Sequence, residues 1–221
     1  MQSLTKDDLQ FCIRRLPADV RDQIQNHQIM LAGGYIRSRI LGELPNDIDL
    51  FSATKDHARL CAQSLTQGRK AKLIETDNAF TVAKSGTIPV QYIHRWSFSN
   101  VEHCVESFDF TIAQAAIWCR GLDGGKPNFV SVCSDRFYAD LAAKRLVYTC
   151  PVREEEAGGS MLRVCKFLRR GFNISPESLG KVMARMAVKI EHGHNDATHV
   201  SNVLTGLLRE VDPLLVDHEL G

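Results

Sequence analysis

The stretch LAGGYIRSRILGELPNDIDLF, residues 31–51, constrains the fold of this chain more than any other segment. An apolar run over residues 28–31 reads as a strand that enters Gly33-Gly34, where the missing Cβ atoms let the backbone turn sharply and approach a bound anion. Residues 35–41 read as a short helix, whose first free N–H groups and positive dipole end would face that anion. The chain then reaches Asp47-Ile48-Asp49. In a strand over residues 47–51 the period of two puts both carboxylates on one face of a sheet, with Ile48 and Leu50 in the core. Carboxylates this close repel each other unless a cation shares them, and hard oxygen donors suit magnesium completed by water and phosphate oxygens. The order of these elements predicts a metal site at Asp47 and Asp49. It also predicts a polyphosphate site at Gly33 and Gly34, with Arg37 one turn further on. The bland alternatives are a tight turn without a ligand, and a helix cap beside a surface acid. Each element is common alone, and their order across the twelve residues between Gly34 and Asp47 is what favours a site.

The rest of the chain has the composition of an ordinary globule. Its 221 residues are 44% hydrophobic and 24% charged, enough for one substantial domain or two small ones. Lys plus Arg number 27 against 26 Asp plus Glu, so the net charge of +1 offers nucleic acid no long-range attraction, and any polynucleotide must be held by a local patch. The seven cysteines include no CxxC pair, which predicts buried free thiols in a reducing compartment. The first ten residues, MQSLTKDDLQ, have acidic charge and no apolar core, and no apolar run reaches membrane-spanning length. The expectation is a cytoplasmic protein without a membrane partner.

Ser3 or Thr5 is placed to cap a first helix bearing Leu9, Cys12, Ile13 and Leu16, and Pro17 starts a second through Ile24. Residues 55–67 and 100–106 read as helices, and residues 72–76, 80–83 and 87–94 as strands. Residues 109–119 read as a strand turned back at Gly124-Gly125 into residues 129–133, and residues 135–144 as a helix. Beyond Pro151 the periodicity is helical over residues 154–171, 176–191 and 198–211. Leu162, Cys165, Leu168 and Phe172 form one expected apolar stripe, and Val182, Met183, Met186 and Ile190 another.

With these residues in view, AGGYIRSRILGELPNDIDL resembles the signature of the polymerase-beta-type nucleotidyltransferases. Within them it is most similar to the head domain of tRNA CCA-adding enzymes and bacterial poly(A) polymerases, whose pattern is a Gly-Gly turn, an Arg-Asp pair, Leu-Gly and Asp-Ile-Asp. FDFTIAQAAI, residues 108–117, resembles that family's Asp-Phe-Thr-Ile-Asn-Ala segment, with Gln114 in place of Asn. SDRFYADLAAKRLVY and LRVCKFLRRGFNIS resemble the stretches that close the head and open the following domain, so the likeness covers about residues 28–175. Ser38 stands where the family has Asp, and Ala157 and Ser160 stand where it has Asp-x-x-Arg. No Glu-Asp-x-x-Arg element follows, nor anything like the tRNA-gripping domains, so a complete CCA-adding enzyme is not expected.

The resemblance implies an α/β (α+β) fold with a palm-like mixed sheet flanked by helices. Residues 1–150 would form the nucleotidyltransferase head and residues 151–221 a helical C-terminal subdomain. It also implies transfer of a nucleoside monophosphate from a nucleoside triphosphate to a hydroxyl, with two Mg2+ ions held by Asp47 and Asp49. Asp109 joins the expected catalytic set, either as a third metal ligand or as a contact to the nucleotide sugar, while the strand PVQYIHRW offers Gln91 where relatives carry an acid. Arg163 and Lys166, with Arg170 at the same helical spacing, form a basic face suited to nucleotide phosphates or simply to solvent. His192, His194 and His199 lack a cysteine or helical pairing and read as a loop without metal. An RNA or DNA 3′ end is the expected acceptor. The alternatives are a compact toxin or defence enzyme that modifies a protein or small molecule or makes short oligonucleotides, and a non-catalytic module that binds nucleotide, RNA or an unknown partner protein.

Overall fold

In the computed structural model, which describes residues 1–96, 98, 100–151, 157–188, 190 and 196–211, the chain forms two compact units. The first comprises Met1–Phe108 with Ile112–Tyr138, and the second Asp109–Thr111 with Ala139–Gly221.

The first unit begins where the Thr5 hydroxyl accepts the Asp8 N–H and starts α1 (Lys6–Arg15), which buries Cys12 and Ile13. Pro17 caps α2 (Ala18–Asn26), which buries Val20, Gln23 and Ile24. The order is then β1 (Met30–Ala32), α3 (Gly34–Ile40), β2 (Ile48–Phe51), α4 (Lys55–Arg69), β3 (Lys72–Glu75), β4 (Ala79–Ala83), β5 (Val90–Ile93), α5 (Val101–Glu106), β6 (Ala115–Asp123) and β7 (Lys126–Cys133). These strands form one mixed sheet in the order β3-β4-β5-β2-β1-β6-β7. Only β2 with β5 is parallel. The expected hairpin is present, with Gly124 and Gly125 at positive φ between β6 and β7.

Strand alternation sorts the sheet into two faces. Met30, Ala32, Phe51, Ala116 and Val132 pack with Cys104 and Val105 of α5 on one. Register places Leu31, Ile48, Leu50, Val90, Tyr92, Phe80 and Val82 together on the other, all of them buried. Against that second face α4 buries Ala58, Cys61, Ala62 and Leu65. The Arg69 guanidinium at the end of α4 forks onto Asp19 at the start of α2, at 2.6 and 2.8 Å.

One sequence expectation fails at the unit boundary. Residues 109–114 are not strand: the Asp109 carbonyl accepts the Thr149 N–H and the Thr111 N–H donates to Val147. With its backbone groups committed there, the chain makes one 3-10 turn, Thr111–Ala113, before entering β6.

The second unit contains the C-terminal part of α6 (Phe137–Ala142), a two-stranded parallel pair of β8 (Arg145–Leu146) and β9 (Asn173–Ile174), and the helices α7 (Ala157–Arg169), α8 (Pro176–Ala187) and α9 (Ala197–Val211). The apolar stripe of α7 is rotated from its expected place. Ser160, Val164 and Phe167 are buried, whereas Cys165 and Leu168 face solvent, because Phe110 and Phe172 meet the Phe167 ring, with Tyr148 packed on Phe110 behind it, and draw that side inward. On α8, Val182 and Met186 are buried as expected, but Met183 is exposed. Among the described residues no helix is long and apolar enough to cross a membrane. His192 and His194 lie outside the described residues.

Gly158 lets α7 and α9 meet backbone to backbone: a Cβ there would lie 2.3 Å from the Leu207 carbonyl oxygen. Gly158→Ala is therefore expected to destabilise the chain by about 1–3 kcal/mol. Gly180, mid-way along α8 with open space around it, should gain about 0.5–1 kcal/mol as alanine. Thermal melts of the two variants check both signs. Arg69 hydrogen-bonds Asp19 and holds its carboxyl below the usual carboxylate value. A depressed folded-state pKa gives stability that is present above the unfolded pKa and lost as pH falls through the folded one. Asp19→Asn should accordingly be less stable than the parent at neutral pH and equal to it in acid. The difference should be under about 1 kcal/mol because the pair is part-exposed, and denaturant midpoints across pH would measure it.

Candidate active site

The pairing of β1 with β2 assembles the centre of the site. Met30 lies opposite Phe51 and Leu31 opposite Leu50. Continuing this antiparallel register sets Ala32 against Asp49 and Gly33-Gly34 against Ile48-Asp47. The glycine turn thus leaves the sheet at the end where the aspartates enter it. Asp47 stands just before β2 and Asp49 within it, both part-exposed, while Ile48 and Leu50 are buried on the opposite face. The carboxylates share the α5 face with Phe51, whose ring meets Phe108 edge-on at 6.0 Å and Phe98 at 6.0 Å. Aromatic packing closes that face beyond Phe51 and leaves the aspartates at its open end.

Gly33 is held at φ +79°, and a Cβ would sit 3.0 Å from the Phe108 ring, so both the backbone conformation and the space require glycine. Its N–H donates to the Ala115 carbonyl at 2.9 Å and is therefore engaged within the sheet. The donors open to an anion are the first-turn N–H groups of α3, those of Gly34, Tyr35 and Ile36, since no side chain caps this helix. The Arg37 guanidinium folds back over the turn, with Nη2 3.4 Å from where a Gly34 Cβ would stand. Gln91 is in register with Asp49, and Thr81 with Gln91, so a polar row crosses three strands beside the carboxylates. At the place where the resemblance led one to look for a third acid, the donor beside Asp49 is an amide.

Asp109 belongs to the second unit and is built differently. It is 4% exposed, and its Oδ2 accepts from Ser160 Oγ at 2.9 Å and from Arg163 Nη1 at 2.7 Å. Arg163 is part-exposed, and Lys166, one turn along α7, faces solvent. Phe110 is fully buried, and Thr111 donates to Asp140 Oδ2 at 2.8 Å. Asp140 is itself fully buried and takes a fork from Arg145 Nε and Nη2 at 2.9 and 2.8 Å. Sequence reasoning missed Ser160 as a partner of Asp109 and Asp140 as a buried anchor. Ser160 was visible only as a departure from a motif, and nothing local marks Asp140 as buried.

Four of the seven thiols are withdrawn from solvent. Cys12, Cys61, Cys104 and Cys133 are buried, and burial pushes Cys12 up to about 12 and Cys61 and Cys133 up to about 11. Contrary to expectation, Cys150 and Cys165 are exposed and Cys119 half-buried.

Comparison with solved structures finds the same fold. A Thermotoga maritima CCA-adding enzyme in complex with tRNA matches at 18% identity and a TM-score of 0.59, covering 97% of this chain and 53% of that one. A CCA-adding enzyme with ATP matches at 17% identity and a TM-score of 0.59, covering 100% of this chain and 54% of that one. A CCA-adding enzyme with CTP gives 15% identity and 0.59, over 94% and 56%. The chain thus spans about half the length of these structures and shares their fold. A comparison with curated protein sequences gives no match. The model of one protein family matches residues 3–144, the whole glycine turn, aspartate strand and sheet included, and by that match the chain belongs to the Gabija anti-defense 2 family.

Proposed function

We infer that this protein is a magnesium-dependent nucleotidyltransferase, which moves a nucleoside monophosphate from a nucleoside triphosphate onto a hydroxyl and releases pyrophosphate. The observation that carries this reading is the register of β1 on β2, which brings two part-exposed carboxylates on one sheet face up to a glycine turn and an uncapped helix start. A protein that only bound an anion would gain nothing from crowding two negative charges beside it. Asp47 and Asp49 supply hard oxygen donors, and the Gln91 amide adds a neutral one in register, a set that fits Mg2+. When bound, the metal would neutralise charge on the triphosphate and lower the pKa of the attacking hydroxyl.

The chain's own residues supply binding and orientation. The N–H groups at the start of α3 and the Arg37 guanidinium hold the phosphates, and the exclusion of side chains at Gly33 and Gly34 lets the triphosphate lie against the backbone. Within the second unit, Arg163, anchored by Asp109, and Lys166 give α7 a basic face of its own suited to phosphates. With no covalent step on the protein, catalysis is positioning and charge neutralisation.

The acceptor we favour is a nucleic-acid 3′ end, because the matching structures are described with tRNA, ATP and CTP. The family's description favours a second reading, in which the same transfer or the bound nucleotide acts against the defence system named Gabija, on a protein, a small molecule or a signal nucleotide.

Asp47→Asn and Asp49→Asn should each lower magnesium-dependent pyrophosphate release by at least about a hundredfold with an unchanged melting temperature, since each removes a donor from a part-exposed site. Full activity in both variants would exclude these aspartates from the chemistry. Incubation with each α-labelled triphosphate and a pool of RNA, DNA and protein identifies the acceptor by where the label goes. Arg163→Ala leaves the Asp109 carboxylate nearly buried without its cation and should cost roughly 3 kcal/mol in a denaturant titration.

A further inference from the structure

On the sheet face opposite Asp47 and Asp49, α2 and α4 are joined at both ends. At one end Asp19, at the start of α2, takes the fork from Arg69 at the end of α4. At the other end are His27, which caps the C-terminus of α2, and His57 and Cys61 from the first half of α4. The helices run antiparallel, and the eight residues from Asp19 to His27 match the eight from Arg69 back to Cys61, about 12 Å of helix each. The second junction therefore lies one helix length from the ion pair.

The ligating atoms of His27, His57 and Cys61 all lie within 4.8 Å of one another. His57 and Cys61 stand four residues apart on one face of α4, so their spacing is fixed by the helix. His27 is exposed at its helix end, and the two imidazoles are tilted with centroids 6.5 Å apart. Among the described residues neither ring nor the thiol has a hydrogen bond that would occupy its donor atom. Beneath them Tyr92 on β5 is 1% exposed and its hydroxyl has no hydrogen-bond partner.

We propose that His27, His57 and Cys61 form a tetrahedral site for a borderline-soft divalent cation of the zinc type, with water in the fourth position, which latches α2 to α4. Two imidazole nitrogens and one thiolate are the donor set that zinc takes and magnesium refuses. Zinc bonds of about 2.0–2.3 Å require donor separations of about 3.3–3.7 Å, so the side chains close by roughly 1 Å, which the exposed His27 ring supplies by rotation. Cys61 enters as thiolate and releases its proton to solvent, while both histidines enter neutral. The site is independent of nucleotidyl transfer.

The test uses the full chain, stripped with chelator and reloaded with Zn2+ or Co2+. One equivalent of zinc should survive gel filtration, raise the melting temperature and be lost again to chelator. The cobalt form should show a thiolate-to-metal charge-transfer band together with the visible bands of tetrahedral Co2+. His57→Ala and Cys61→Ser should abolish that band, and His27→Gln should weaken cobalt binding at least tenfold. Asp47→Asn/Asp49→Asn should leave it intact, which separates this site from the carboxylate pair. The histidines are not core residues, so those variants keep the test decisive if Cys61→Ser fails to fold. Absence of the charge-transfer band in the parent, or its persistence in His57→Ala, overturns the proposal.

Discussion

Two backbone pairings between β1 and β2, Met30 with Phe51 and Leu31 with Leu50, decide what the rest of this molecule is able to do. Strand side chains alternate with a period of two, so a slip of one residue would bury Asp47 and Asp49 against α4 and turn Ile48 and Leu50 toward α5. The buried apolar partners on each face forbid that slip: Leu31, Ile48 and Leu50 fill one side, and Met30, Ala32 and Phe51 fill the other. The cores on the two faces thus fix which side of the sheet the carboxylates occupy. The same register brings the glycine turn alongside, where Gly33 is held at φ +79° with the Phe108 ring 3.0 Å from the place of a Cβ, so a side chain there would be strained.

The second unit solves a different problem, that of buried charge. Asp109 and Asp140 are both removed from water. Each is satisfied by a hydroxyl and a guanidinium, Ser160 with Arg163 and Thr111 with Arg145. Carboxylates so enclosed contribute little net stability, but loss of one partner leaves a charge stranded, so the arrangement enforces a particular packing of 109–111 against 145–149 and α7. Specificity of this kind matters where the chain crosses from one unit to the other and back within three residues.

How much of this was legible beforehand depended on the range of the interaction. The Thr5 cap, the Gly-Gly hairpin tip and the alternation around Ile48 are local, and each reads correctly from a few neighbouring residues. The face of α7 was misread because its period admits two stripes, and the choice between them is made by Phe110, Tyr148 and Phe172, distant in sequence. Residues 109–114 have strand-like composition, yet their backbone partners at 147 and 149 take them out of the sheet. The in-register approach of Gln91 to Asp49 likewise depends on a parallel crossover that no local pattern reports. His57 and Cys61 sit at a helical spacing of four that was open to view. Only the return of α2, with His27 at its end, makes that spacing a cluster.

On the two readings proposed above, the sheet would separate two kinds of cation chemistry by side-chain parity and donor type. On one face, carboxylate and amide oxygens stand part-exposed, where a small hard ion would keep its waters and meet phosphate. On the other, imidazole and thiol donors sit against an apolar core, where a cation that prefers nitrogen and sulfur loses little by shedding water. Because magnesium binds nitrogen and sulfur donors poorly, the helix-side cluster cannot drain the carboxylate site. A zinc-type ion strong enough to reach the carboxylates is drawn first to the thiolate. Selectivity between the faces then follows from ligand softness, without any contact between the sites.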